Sequence, residues 1–141
     1  MFIDNTTPPI NYSQKLRLLI VDDVAVHRTL LMSGLRRINP FLEIEQAASV
    51  DEAIELLSQG KFDAVVCDWM MPGQGGEVLL RWMRARPMFK YVPFVMISSK
   101  TENEDIIEAF MALGVDGYIT KPFTPSGVYG KVTAAIEKLN D

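Results

Sequence analysis

Four apolar runs in this chain stop on a group able to carry charge or a proton. Leu16 to Val21 runs into Asp22-Asp23, Ala64-Val65-Val66-Cys67 into Asp68, Val92 to Ile97 into Ser98, and Val115 to Thr120 into Lys121. A carboxylate is costly to bury, so each acid belongs at the mouth of an apolar element rather than inside it. Three carboxylates brought together repel unless a cation, a proton or ample water relieves them. Hard oxygen donors in an open cleft suit Mg²⁺, which takes one or two carboxylates and keeps its waters. An ammonium and a hydroxyl facing those acids supply what a phosphoryl group needs, a positive charge and a donor for its equatorial oxygens. The chemistry these residue types suggest is phosphoryl transfer onto a carboxylate nucleophile, with Asp68 as the nucleophile. Each residue also has a plain structural role open to it: Asp22-Asp23 or Asp68 as a helix or turn cap, Lys121 as a solvated loop lysine, Ser98 as a strand end.

Which of these roles applies depends on the elements that position them. The runs at Leu16–Val21, Ala64–Cys67, Val92–Ile97 and Val115–Thr120 read as buried strands, and Glu43 to Ala47 alternates like a strand nearer an edge. Helical spacing follows each strand. Leu30, Leu31, Leu35 and Ile38 precede Asn39-Pro40. Val50, Ala53, Ile54 and Leu57 follow the capping box Ser49-Val50-Asp51-Glu52 and end at Gly60. Glu77 to Ala85 carries Val78, Leu79, Trp82 and Met83 on one stripe. A second capping box, Thr101 to Glu104, opens a helix with Ile106, Ile107, Phe110 and Met111 inward, and Thr124-Pro125 heads a last helix carrying Val128, Val132, Ala135, Ile136 and Leu139. Strand then helix five times over predicts an α/β fold, a doubly wound parallel sheet with helices on both faces. In such a sheet ligands bind outside the carboxyl ends of the strands, the edge that would collect Asp22, Asp23, Asp68, Ser98 and Lys121.

The chain's 141 residues suit one domain able to bury about 70% of its unfolded surface. Residues 1–14 are polar, proline-containing and aperiodic, and read as a flexible tail before a domain at 15–141. Cys67 is the only cysteine and lies in an apolar strand, which suits a buried hydrophobe better than a reactive thiol. A net charge of −4 with no Lys/Arg run argues against a nucleic-acid partner. No signal peptide and no apolar run of the ~18 residues needed for a membrane span can be found, which predicts a cytoplasmic protein with no membrane partner.

Val21-Asp22-Asp23, Asp68-Trp69-Met70-Met71-Pro72, Ser98, Gly117-Tyr118 and Lys121-Pro122-Phe123 resemble the receiver domain of two-component response regulators, in particular the single-domain chemotaxis type, from about Leu16 to Leu139. The resemblance implies a flavodoxin-like five-stranded sheet of order 2-1-3-4-5 with five helices. It implies that Asp68 takes a phosphoryl group from the phosphohistidine of a histidine kinase. Asp22, Asp23, Asp68 and the backbone carbonyl of Met70 would hold Mg²⁺. Lys121 and Ser98 would contact the phosphate, Tyr118 would act as the aromatic switch, and the Lys121-Pro122 peptide would be cis. A downstream protein would bind the face of the fourth helix, fifth strand and fifth helix. The protein would be a monomer, with dimerisation on activation open, and a signalling phosphoacceptor rather than an enzyme with a released product. The loop Gly73-Gln74-Gly75-Gly76 departs from the family pattern in its extra glycines. Met70 and Lys100, each two residues beyond a site residue, are candidates for tuning the phosphate's lifetime. His27 reads as a surface polar residue on the side where the family docks its kinase. The competing reading is a Mg²⁺-dependent phosphatase with an aspartyl nucleophile; such enzymes need a second acid two residues on, where this chain has Met70.

Overall fold

The computed structural model describes residues 10–99 and 104–140, over which the chain alternates strand and helix: β1 Arg17–Val21, α1 Ala25–Ile38, β2 Glu43–Ala47, α2 Val50–Gln59, β3 Ala64–Asp68, α3 Gly76–Arg84, β4 Phe94–Ser98, α4 Glu104–Ala112, β5 Gly117–Thr120 and α5 Pro125–Asn140. All pairings are parallel and the order is β2-β1-β3-β4-β5. The expected topology is therefore present, with β3 at the centre and the alternating Glu43–Ala47 strand at an edge.

Side-chain alternation sends each strand's residues into two cores. Leu19, Val21, Val65, Cys67, Phe94 and Met96 meet α2 and α3 on one face, while Leu18, Ile20, Val66, Val95 and Ile97 meet α1 and α5 on the other. Ser49 caps α2, its Oγ accepting the Glu52 N–H at 3.1 Å while the Glu52 carboxylate accepts the Ala48 N–H at 2.9 Å. Thr124 caps α5 by accepting the Gly127 N–H at 3.0 Å, with Pro125 in the first helical position.

Four helix faces differ from the spacing. In α3 the buried residues are Leu79, Leu80 and Met83, and Val78 is exposed. The rotation follows from Gly76, whose N–H bonds the Trp69 carbonyl at 3.0 Å and whose missing Cβ would lie 2.9 Å from the Trp69 ring. Leu30 is 65% exposed, because it sits at the rim of the site edge and not under it. Ile107 and Phe110 of α4 are half-buried, whereas Ile106 and Met111 are exposed, since the helix meets the core through Phe110, whose ring centroid lies 4.5 Å from that of Trp69. Leu139 is exposed near the end of α5, whereas Tyr129, unmarked by the spacing and one turn from the start of that helix, is fully buried. The residues Lys100 to Asn103, which hold most of the second capping box, and Met1 to Pro9 lie outside the described residues. Asn11 to Gln14, within the stretch read as a tail, are anchored: Tyr12 stacks on Tyr129 with ring centroids 5.7 Å apart, and the Asn39 amide donates to the Gln14 carbonyl at 2.7 Å.

Candidate functional site

Asp68 closes β3, the central strand, and is 4% exposed. Both carboxylate oxygens are engaged: Oδ1 accepts the Met70 N–H at 3.2 Å and Oδ2 accepts Lys121 Nζ at 3.1 Å. Burial pushes the Asp68 carboxyl above its ordinary pKa, opposed by the bond and the charge of Lys121, with Asp22 adding to the rise and the Met70 N–H to the opposition. Asp68 does not cap the following helix, whose N-cap is Gly75 without a side-chain bond. Its neighbour Cys67 is fully buried, donating its S–H to the Asp68 carbonyl at 3.2 Å. Burial first, then the charges of Asp68 and Asp22, push that thiol well above its usual range, so it is no nucleophile at neutral pH.

Asp22 and Asp23 follow β1, hydrogen-bonded to β3 on one side and β2 on the other, so the sheet itself carries them to Asp68. The three carboxylates offer ligand oxygens all within 4.8 Å of one another, Asp22 and Asp68 buried and Asp23 exposed. The helix-cap role fails for this pair too: α1 has Val24 as its N-cap with no side-chain bond. Asp22 Oδ1 instead accepts the Val24 N–H at 2.9 Å in a local turn, and its Oδ2 lies 3.4 Å from His27 Nδ1. Arg28 Nη1 donates to the Asp22 carbonyl at 2.7 Å, and Arg28 Nε to Gln46 Oε1 at 2.8 Å. Neither His27 nor Arg28 carried a site role in the sequence reading. The available signal was their spacing, since the residues one helical turn beyond a strand-end acid point back over it. An all-oxygen donor set of this compactness, open to water through Asp23, fits a hard divalent cation.

Ser98 ends β4, is fully buried, and its Oγ has no hydrogen-bond partner among the described residues. It lies one residue beyond Ile97, which pairs with Asp68, and its carbonyl accepts the Lys121 N–H at 2.9 Å. Lys121 follows β5, is half-buried, and the Lys121-Pro122 peptide is cis. Tyr118 in β5 pairs with Met96 and packs half-buried against the core that contains Trp69. The Met70 side chain is 65% exposed beside Asp68, while Lys100 lies outside the described residues. A recess of about 340 Å³ opens next to Asp22 and Lys121, walled by Leu30, Leu31, Pro122, Phe123 and Pro125, and this is where the exposed Leu30 belongs. The edge therefore joins a buried, cation-paired carboxylate, two further acids, a hydroxyl without a partner among the described residues and a recess with apolar walls.

The profile of the response regulator receiver domain matches residues 18–133. The chain is 39% identical to chemotaxis protein CheY-3 of Vibrio cholerae over 127 residues, 90% of this chain and 96% of the relative. It is 37% identical to chemotaxis protein CheY of Pseudomonas aeruginosa over 125 residues, 89% of this chain and 99% of the relative. The structure superposes on that of the chemotaxis response regulator CheY4 of Vibrio cholerae with a TM-score of 0.73 at 23% identity, covering 89% of this chain and 99% of that one, a likeness of fold. With its strand order, its acid cluster and a profile match over most of its length, the chain belongs to the response regulator receiver domain family.

Proposed function

We propose that Asp68 is the phosphoacceptor of a two-component signalling protein, taking a phosphoryl group from the phosphohistidine of a partner kinase in a Mg²⁺-dependent reaction. An Asp68 carboxylate oxygen forms a bond to phosphorus as the bond from phosphorus to the donor imidazole nitrogen breaks, the electron pair remaining on that nitrogen. Lys121, 3.1 Å from Asp68, stands ready to shift its ammonium to the incoming phosphoryl oxygens. Asp22, Asp23 and Asp68, with the Met70 carbonyl, would hold the cation, which when bound offsets the charge gathered there. Leu30, Phe123 and Pro125 give the donor an apolar surface beside the acceptor.

The observation that carries this reading is the Ser98 hydroxyl. An orphaned buried hydroxyl is destabilising by about 1–3 kcal/mol, and a strand end with no ligand to bind has no use for one. A phosphoryl oxygen on Asp68 would supply its partner. As Ser98 moves toward that oxygen, Tyr118 would take up the space behind it, altering the face formed by α4, β5 and α5, where the exposed Met111 suits a downstream protein. A full switch from 1:99 to 99:1 needs about 5.5 kcal/mol of differential stabilisation, within reach of a charged group bridged to a cation. Met70 and Lys100 would set how readily water reaches the aspartyl phosphate, making the protein the catalyst of its own dephosphorylation.

A phosphatase with an aspartyl nucleophile would require an acid where Met70 stands, and a thioether neither gives nor takes a proton. The test is incubation with acetyl phosphate and Mg²⁺. Wild type should gain about one hydroxylamine-labile phosphate and Asp68→Asn none; labelling of the Asn variant, or none of wild type, rejects the assignment.

A further inference from the structure

Of the two buried acids, Asp22 has the more weakly held carboxylate. Asp68 is paired with Lys121, and Asp23 is open to water. Asp22 is 7% exposed, its main chain fixed by the bonds from its N–H to the Ala47 carbonyl at 3.1 Å and from Arg28 Nη1 to its own carbonyl at 2.7 Å. The Val24 N–H holds Oδ1 at 2.9 Å. The polar group facing Oδ2 among the described residues is His27 Nδ1 at 3.4 Å, while the cation lining the same recess, Lys121, is committed to Asp68. A carboxylate with a rigid backbone and one firmly bonded oxygen can still turn about its side-chain bonds. Its rotation decides whether a lone pair points at the place shared with Asp23 and Asp68.

We infer that His27 is a positioning residue for the divalent cation, its Nδ1–H holding Asp22 Oδ2 so that this carboxylate keeps the orientation in which it joins Asp23 and Asp68. The inference rests on the metal reading of the acid cluster given under Proposed function. The 3.4 Å separation is an ion-pair distance, longer than a hydrogen bond. Polar contacts that position a reacting or binding group tighten when its ligand is bound. His27 reaches Asp22 because α1 begins at Ala25, which brings the third helical residue back over the strand end. Partners of metal ligands commonly change affinity by 10–100-fold when removed, and a half-exposed imidazole belongs at the low end, about tenfold.

The experiment is a Mg²⁺ titration of the full chain followed by tryptophan emission in a Trp82→Phe background, which leaves Trp69, the residue after Asp68, as reporter. Mn²⁺ binding read by electron paramagnetic resonance is the second measurement. His27→Ala should raise the half-saturating concentration about tenfold. His27→Asn, whose amide N–H lies near where Nδ1 sits, should restore it to within about twofold of wild type, and the melting temperatures without metal should coincide. Unchanged affinity in His27→Ala overturns the inference, as does tighter binding, which would mean that a charged imidazole competes with the metal. An Asn variant as weak as Ala overturns it too. Asp23→Asn separates the two readings: if it binds both ions as well as wild type, or if wild type binds neither, the metal site itself fails and His27 falls with it.

Discussion

At the scale of single residues, the site combines two features that a stable protein would avoid, and each gives a prediction with a counterintuitive sign. Ser98 is a buried hydroxyl without a partner among the described residues. Ser98→Ala should therefore raise stability, by about 1 kcal/mol in urea unfolding, while slowing phosphorylation by acetyl phosphate at least roughly tenfold. Loss of both stability and labelling would mean that the hydroxyl is structural. Asp68 is a carboxyl whose pKa burial raises above its ordinary 3.8. A folded state that holds the proton more tightly than the unfolded one loses stability as pH rises from the unfolded pKa through the folded one, so the penalty grows as pH rises above the ordinary carboxylate range. Asp68→Asn removes it. The variant should melt above wild type at pH 7, with the gap closing as pH falls toward the ordinary carboxylate range. A constant gap across that range would place the effect elsewhere than in ionisation. On the proposed role of Asp68 the same substitution should also abolish phosphorylation, so stability and function would oppose each other at one residue.

At the scale of elements, what was legible in the sequence was whatever depends on local pattern, and what was not depends on where helices meet. Apolar runs and breakers placed the strands, and the polar residue ending each run led directly to Asp22, Asp23, Asp68, Ser98 and Lys121, because a parallel sheet delivers all its strand ends to one edge. Val78 and Leu80 exchanged places because the close approach of Gly76 to Trp69, a tertiary fact, sets the rotation of α3. Arg84 was equally invisible: a mostly buried guanidinium that donates to the carbonyls of Phe89, Val92 and Gly114 and pairs with Asp116 at 3.0 Å, tying the end of α3 to the lead-in of β4 and β5. His27 has no apolar periodicity to mark it, and its one signal is its spacing from the strand-end acid whose oxygen it faces. Gly34 shows how contact overrides propensity. In an isolated helix Gly34→Ala would stabilise by about 1 kcal/mol. Here the added Cβ would lie 2.3 Å from Pro125 Cγ, so α1 and the start of α5 would have to part. The expected result is a net loss of roughly 1–3 kcal/mol in urea unfolding. A gain would show that this interhelical contact yields freely.

Across the whole molecule, the buried side-chain polar atom without a partner among the described residues, Ser98 Oγ, lies at the carboxyl edge of the sheet, whereas a closed polar network ties the end of α1 to α5. Asn39 is fully buried there yet fully used, its Nδ2 donating to the Gln14 carbonyl at 2.7 Å and to Tyr129 Oη at 2.9 Å, and its Oδ1 accepting the Phe41 N–H at 2.9 Å. Tyr129 passes the chain on by donating to the Asn11 carbonyl at 2.5 Å, beneath the stacked ring of Tyr12. The segment before β1 is thus stapled to Tyr129, the fifth residue of α5, the helix that begins four residues after Lys121. Buried networks of this kind are coupled, so removing one member forfeits much of what the rest contribute. Tyr129→Phe should cost about 1–2 kcal/mol, because it leaves the Asn39 amide short of an acceptor. Deleting residues 1–12, which removes the Asn11 acceptor and the Tyr12 ring, should cost a similar amount. The combination should cost well under the sum, since both changes break one network. Urea unfolding of the four proteins closes that cycle, and strict additivity would show that the staple and the tyrosine act separately. Phosphorylation by acetyl phosphate should proceed in all four, because none of the altered residues lies at the site edge.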